Sequence, residues 1–488
     1  YSNTTASNNT AVGYQAGYNN NSVFSTFVGT FAGKNHTSGN EVTAVGYAAL
    51  YTNTTGQLNS AFGGEALFSN TTGGYNTAMG VYALFSNTTA SNNTAVGFQA
   101  GYSNSTGGYN TAMGMYALFS NTTASNNTAV GYQAAYLNQT GAANVSIGFQ
   151  AGYSNTSNNG NVSIGQQALY STTSGNGSTA VGYNAGKANT TAIVDAFGYG
   201  ALSVSTGTGN AAFGIYALGS VTTGVNNVAF GQNAAIFQTG SSNVAIGPSA
   251  FAGINGSSIG SYNVAVGQQS LVNSTTASYN TAVGYQAGYA TTTGAYVDAF
   301  GYTALRQNTT GTQNVGIGAQ TLYNNTTGSN NTALGTAALY NNTTGGSNTA
   351  IGNVALVSNT TASYNTAVGY LAGYSNTTGT NLTAIGYTAG KNFTTGLYNT
   401  FVGSGSGTGG AGATGYSNTA VGMNTGTSLT SGTGNTLMGT DTGTWAAGYS
   451  ITTGSYNTAI GGGALRLTDT ASNNTAVGYQ AGYSGTTA

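Results

Sequence analysis

TASNNTAVGYQAGY occupies residues 5–18 and returns letter for letter at residues 470–483. Its middle, Asn-Thr-Ala-Val-Gly, is the unit from which the whole chain is built. Aligned on the glycine that closes this unit, Gly46, Gly63, Gly80, Gly97, Gly114, Gly131, Gly148, Gly165 and Gly182 lie 17 residues apart. The same step runs from Gly267 to Gly403. From Gly13 to Gly478 there are 28 such glycines; a few steps are 16, and three are longer, Gly247–Gly267, Gly403–Gly422 and Gly439–Gly461. A fixed period maintained over a whole chain identifies a repeat architecture.

The columns around that glycine are read by position. One residue before it stands a large apolar side chain, as in Val12, Val96, Val130, Ile147, Ile164, Val283, Ile351 and Val477. Two before it is small, three before is Thr or Val, and four before is Asn in most coils. Alternation of period two predicts a short strand. Its Val/Ile side is expected to face the core, which makes those eight residues the expected core ladder. Asn9, Asn76, Asn127, Asn243, Asn331 and Asn474 predict an amide ladder, each side chain bonded to its neighbour in the next coil. After the glycine come Ala at +3, Leu or Gly at +4 and Tyr or Phe at +5, which predicts a second short strand packed on the first. Asn-Thr-Thr-Gly and Ser-Asn-Asn segments between them carry the residues that favour turns.

One coil cannot fold alone. Burying one Val and one Leu gains roughly 1.5–3 kcal/mol each, against an ordering cost of ~1–2 kcal/mol per residue. Stacked coils share backbone ladders and a continuous core, so stability becomes a sum over neighbours. The expectation is an all-β, parallel β-solenoid or β-roll of about 28 coils, a single array over 1–488 with ordinary coils, not caps, at both ends. At ~4.8 Å per coil it predicts a rod roughly 130 Å long. Irregular coils are expected at 248–262, 404–416 and 440–456, the last holding the only Trp, Trp445.

Composition excludes several functions. Charged residues are 2% of the chain and the net charge is -1, so neither nucleic acid nor an anionic membrane has an electrostatic partner here. Cys is absent, which removes disulfides and thiolate metal sites, and no apolar run reaches the ~18 residues of a membrane span. Catalysis needs convergent ionisable groups. The carboxylates Glu41, Glu65, Asp195, Asp298, Asp441 and Asp469 are scattered, and His36, the single histidine, reads as a solvated turn residue. No enzyme activity, cofactor or metal is expected. The Gly-rich run 404–415 lacks the Lys of a phosphate-binding loop and reads as an expanded coil loop.

Two columns are candidates for function. All five basic residues, Lys34, Lys187, Arg306, Lys391 and Arg466, stand at +5, a column otherwise filled by aromatics such as Tyr18, Tyr153, Tyr340 and Tyr374. Side chains with an apolar body and polar tip suit a rim position, and together they form a candidate stripe for binding a surface or glycans. At +7, Asn53, Asn70, Asn87, Asn104, Asn121, Asn138 and Asn155 each open an Asn-x-Ser/Thr sequon, and the series resumes at Asn308, Asn325, Asn342, Asn359 and Asn376. They are candidate glycosylation sites. So neutral a surface tends to associate, and either deliberate self-assembly or a glycan coat would answer that.

The units SNVAIG (242–247) and GNVSIG (160–165) resemble the head repeats of trimeric autotransporter adhesins, and the resemblance runs through the whole chain. It implies a left-handed parallel β-roll that trimerises through one sheet and binds host surfaces or matrix. The same pattern resembles repeats of some bacteriophage tail fibres and, in part, the Asn-x-Val-x-Gly rolls of plant ice-binding proteins. The coil here is longer than in the adhesin heads, and these 488 residues contain neither a heptad stalk nor a membrane-anchor barrel. The expected function is an extracellular structural fibre, homotrimeric or joined head to tail, with an adhesive or coating role. A tail-fibre shaft or receptor-binding segment and an ice-binding roll are the alternatives.

Overall fold

The computed structural model describes residues 6–190, 193–254, 258–439 and 445–483. Among them are 28 strands, β1 (Thr10–Val12) to β28 (Thr475–Val477), and no α-helix. The chain is a parallel β-solenoid with one short strand per coil. It divides into two compact units, Tyr1–Thr239 and Gly240–Ala488. The first holds the strands up to β14 (Val228–Phe230), the second those from β15 (Val244–Ile246) onward. Within each unit every strand pairs in parallel with the next, in the register of the repeat. Thr77, Ala78 and Met79 lie beside Thr94, Ala95 and Val96.

The segment after the glycine is not a second strand. It is a turn, wound by residues in the left-handed region at +2 and +4, as Tyr82 (φ 60°) and Leu84 (φ 50°) show; a third such residue, Asn92 (φ 60°), leads into the next strand. Left-handed residues break the extended backbone that a strand needs. Hydrogen bonds to the next coil nevertheless continue through the turn, with Leu84 N–H donating to the Ala100 carbonyl at 2.9 Å and Ser86 N–H to Tyr102 at 3.0 Å. The ladder therefore surrounds the coil although only three residues in it are strand.

The core faces the opposite way from the expectation. In each strand the middle residue points inward, and Ala78, Ala95 and Ala112 are fully or almost fully buried. The apolar residue before the glycine points outward. Val12 (59% exposed), Ile147, Ile351 and Val477 are exposed, and Val96, Val130, Ile164 and Val283 are half-buried on the same outer face. The expected core ladder is thus a surface ladder. The physical reason is the alternation of the strand. The Asn at -4 is buried and hydrogen-bonded inside the coil, so the residue at -2 shares its inward face and the residue at -1 faces out. Ala at +3, Leu at +4 and Asn at +7 fill the rest of the interior.

Volume inside is balanced between coils. A Cβ on Gly101 would sit 2.9 Å from Leu84 Cδ2, so Leu at +4 in one coil leans over Gly at +4 in the next. Where a Phe replaces the inward Ala, as at Phe27, both flanking +4 residues are Gly. A Cβ on Gly17 or Gly33 would overlap the Phe27 ring. The unit glycine answers a different demand. Gly80 has φ 140°, and a Cβ there would lie 2.4 Å from the Gly97 carbonyl oxygen. No side chain fits at that approach of backbone on backbone.

Candidate functional site

Two buried amide ladders run along the solenoid. At -4, the Asn76 N–H donates to Asn59 Oδ1 at 2.9 Å and Asn76 Nδ2 to the Ala90 carbonyl at 2.9 Å, a pattern that recurs at Asn93, Asn110 and Asn348. This is the expected Asn ladder. The +7 column, the candidate glycosylation sites, is a second one. Asn87 Nδ2 donates to Asn70 Oδ1 (2.8 Å) and to the Ala90 carbonyl (3.1 Å), and Asn342 Nδ2 to Asn325 Oδ1 (2.7 Å) and the Gly345 carbonyl (2.9 Å). Asn53, Asn70, Asn87, Asn104, Asn121, Asn138, Asn155, Asn308, Asn325, Asn342, Asn359 and Asn376 are all buried. Their amide nitrogens are inside the coil and committed to hydrogen bonds, so the folded chain offers no glycan acceptor at these sequons. An alignment of sequons on one face signals a ladder as readily as a rim, because an Asn that closes a turn favours Thr after it. Here that Thr is itself bonded forward, Thr71 Oγ1 donating to the Thr88 carbonyl at 3.0 Å.

The +5 column, the candidate binding stripe, lies half-buried at the surface. Tyr51, Phe68, Phe85, Tyr102, Phe119, Tyr136, Tyr153 and Tyr170 form one continuous stack with ring centroids 5.0–5.2 Å apart. Each face is covered by its neighbour, so edges and hydroxyls, not ring faces, meet the solvent. Tyr153 ionises above the usual phenol range because burial disfavours its charge and the phenols of Tyr170 and Tyr136 add repulsion. Tyr340 stacks on Tyr323 at 5.1 Å, while Tyr18 and Tyr374 are exposed members of the column.

Three of the basic residues lie against aromatic rings, and Arg306 takes the place of a ring in the +5 column. The Arg306 guanidinium lies between Tyr289 (5.1 Å) and Tyr323 (5.7 Å), while Arg466 lies against both Trp445 (4.9 Å) and Tyr483 (5.2 Å), which stack on each other at 5.6 Å. Lys34 Nζ sits 4.9 Å from the Phe31 ring and 5.4 Å from Tyr51. A cation over a π face is attracted by the ring quadrupole, which favours Lys34, Arg306 and Arg466 at this position. Lys187 and Lys391 are half-buried at the same position in their coils.

Elsewhere the ionisable groups do not converge. Among the described residues no three of His, Cys, Asp and Glu are grouped to hold a metal. Asp195 and Asp298 occupy strand positions in different units, the Asp469 carboxylate accepts from Thr452 Oγ1, and Asp441 lies outside the described residues. His36 is not solvated as expected but fully buried, at the +7 position of its coil. A void of about 10 Å³ lined by Ser146, Ser163, Asn155 and Thr172 is far below the size of a ligand pocket. The run 404–415 folds back on its neighbours, Ala413 bridging to Phe393.

What remains is a surface. Outward from the sheet run two columns, Thr or Val at -3 and the apolar residue at -1. Met79 (45% exposed), Met113, Ile147 and Phe230 stand on it in the first unit, and Ile246, Ile317, Leu334 and Ile351 in the second. Phe197, Phe213 and Phe230 stack along it at 4.7 and 4.8 Å. No helix is long and apolar enough to cross a membrane among the described residues. No protein-family model matches the chain, nor does any curated protein or solved structure.

Proposed function

We propose that this protein is a structural element of an extracellular fibre or surface coat, assembled from copies of itself through the outer face of the sheet. The observation that carries the reading is the outward apolar ladder, which continues strand after strand in each unit. Monomeric soluble proteins rarely leave so extended an apolar patch in water, and such patches mark association surfaces. With a net charge of -1 there is no repulsion to hold copies apart. A trimer is the order that the resemblance to autotransporter head repeats implies. Adhesion would then be multivalent, many weak contacts of the Tyr-rich rim repeated along one particle.

Sedimentation velocity tests the assembly. The wild-type chain is expected as a discrete oligomer at micromolar concentration, and the triple variant Met79→Lys, Met113→Lys, Ile147→Lys as a folded monomer. A wild-type chain that stays monomeric removes the reading. Ice binding draws less support from the same face, because Val, Phe, Met, Ile and Leu alternate along -1 with unequal reach, and an ice-matching surface needs to be flat.

A further inference from the structure

The +7 ladder of the first unit has a direction. Asn70 Nδ2 donates to Asn53 Oδ1 (2.6 Å), Asn87 to Asn70 (2.8 Å), Asn104 to Asn87 (3.0 Å), Asn121 to Asn104 (2.7 Å) and Asn138 to Asn121 (3.1 Å). Every amide thus donates toward the N-terminus. The second amide hydrogen of each goes to a turn carbonyl of its own coil, as Asn53 Nδ2 does to Gly56 at 2.9 Å. The last acceptor is not an asparagine. Asn53 Nδ2 donates to His36 Nδ1 at 2.7 Å, and His36 Nε2–H faces the Gly39 carbonyl. We propose that His36 is an acid-sensitive end stop of this ladder, so that protonating one imidazole loosens the coils from β2 (Thr26–Val28) to β4 (Ser60–Phe62).

The chemistry follows from the donor count. Accepting at Nδ1 while donating at Nε2 requires the neutral imidazole, since both nitrogens of the cation are donors. A proton on Nδ1 would point at the Asn53 amino group. Asn53 cannot answer by turning over, because its oxygen would then face the Gly56 carbonyl and its amino group would face that of Asn70. Relief needs either the whole ladder reversed or a buried donor left unpaired, and low-dielectric surroundings make the second costly. The groups that face the ring are Ser22, Phe27, the Gly39 carbonyl and Asn53, none of them charged. On the same coil Glu41 is exposed and Lys34 is engaged with Phe31 and Tyr51. No carboxylate is therefore in place to compensate the imidazolium.

Burial pulls the His36 pKa below the ordinary 6.5, and the Gly39 hydrogen bond offsets only part of this. A group whose folded pKa is depressed gives stability that is complete above 6.5 and is lost as the pH falls through the folded value. His36 is the only histidine, so its imidazole C–H resonance titrates without overlap in the whole protein. Two results are expected. The resonance titrates below 6.5, and amides of residues 20–60 lose protection from hydrogen exchange about tenfold between about pH 7 and pH 4.5, corrected for intrinsic rate. His36→Asn places the residue found elsewhere in the column and should keep protection constant over that range, as should residues 330–360 of the wild type. An ordinary histidine titration in the wild type, which needs no variant to fold, overturns the proposal. So does an equal acid loss in His36→Asn, which would assign the effect to carboxylates.

Discussion

Asn87 shows how much one side chain does in this molecule. It is buried, spends both amide hydrogens and takes one bond from Asn104. Asn87→Ala leaves unpaired groups on two neighbours, and a buried unpaired group costs about 1–3 kcal/mol. The expected outcome is local loss of exchange protection in the coils holding Asn70 and Asn104, with distant coils unchanged. Gly97 is a sharper case. Its φ of 135° and a Cβ only 2.7 Å from the Gly114 backbone leave no relaxed place for a methyl group. Gly97→Ala is expected to cost more than Asn87→Ala, read as a lower urea midpoint of the variant. The need for glycine was legible in the sequence from its period. The burial of the +7 asparagines was not, because a sequon looks the same on a rim and inside a turn.

Packing between coils decides the element scale. Phe401 fills the space left by Gly390 and Gly407, and a Cβ on either would overlap its ring. Phe401→Ala removes that filling where neither glycine can replace it, and large-to-small changes of this kind cost about 3–5 kcal/mol. Thermal unfolding followed by circular dichroism should show the loss. Restoring volume with Gly390→Leu is expected to recover less than the whole, since Leu must adopt φ 60° there. On the surface, the stack from Tyr51 to Tyr170 couples like rings at fixed spacing. Tyr102→Ala splits it, with an expected drop in near-ultraviolet circular dichroism larger than one tyrosine in eight rings would give. Its cost in stability is small, about 0.5–1.5 kcal/mol for each lost ring pair. The aromatic column was visible in the sequence; that its rings stack on one another, and not outward, depends on a coil-to-coil distance that no single coil contains.

Each unit of the molecule is a sum over neighbouring coils, which makes a whole coil dispensable and half a coil not. Deleting residues 77–93 joins Asn76 to Thr94 and keeps every column in place, because Thr77 and Thr94 occupy the same register. Circular dichroism and exchange protection in the rest of the unit are expected to persist. Deleting residues 77–84 instead puts Asn76 next to Phe85 and removes the strand Thr77–Met79, Gly80 and the turn to Leu84 while leaving the other half of that coil, which cannot complete a turn of the solenoid. That variant is expected not to fold in the adjoining coils. An unchanged exchange pattern in it would contradict the nearest-neighbour account.

By itself the sequence determined the repeat, the parallel pairing of successive coils, the strand before each glycine and the asparagine ladder at -4. All of these follow from local periodicity and from chemistry that recurs in every unit. Only the tertiary structure decided which side of the strand is inside. Period two is blind to that sign, and hydrophobicity alone sends Val inward and Ala outward. The reverse holds because the buried, hydrogen-bonded Asn at -4 and the residue at -2 share one face of the strand, which leaves the residue at -1 on the other. Ala and Asn then fill the interior, and the apolar ladder is left on the outer face of the sheet.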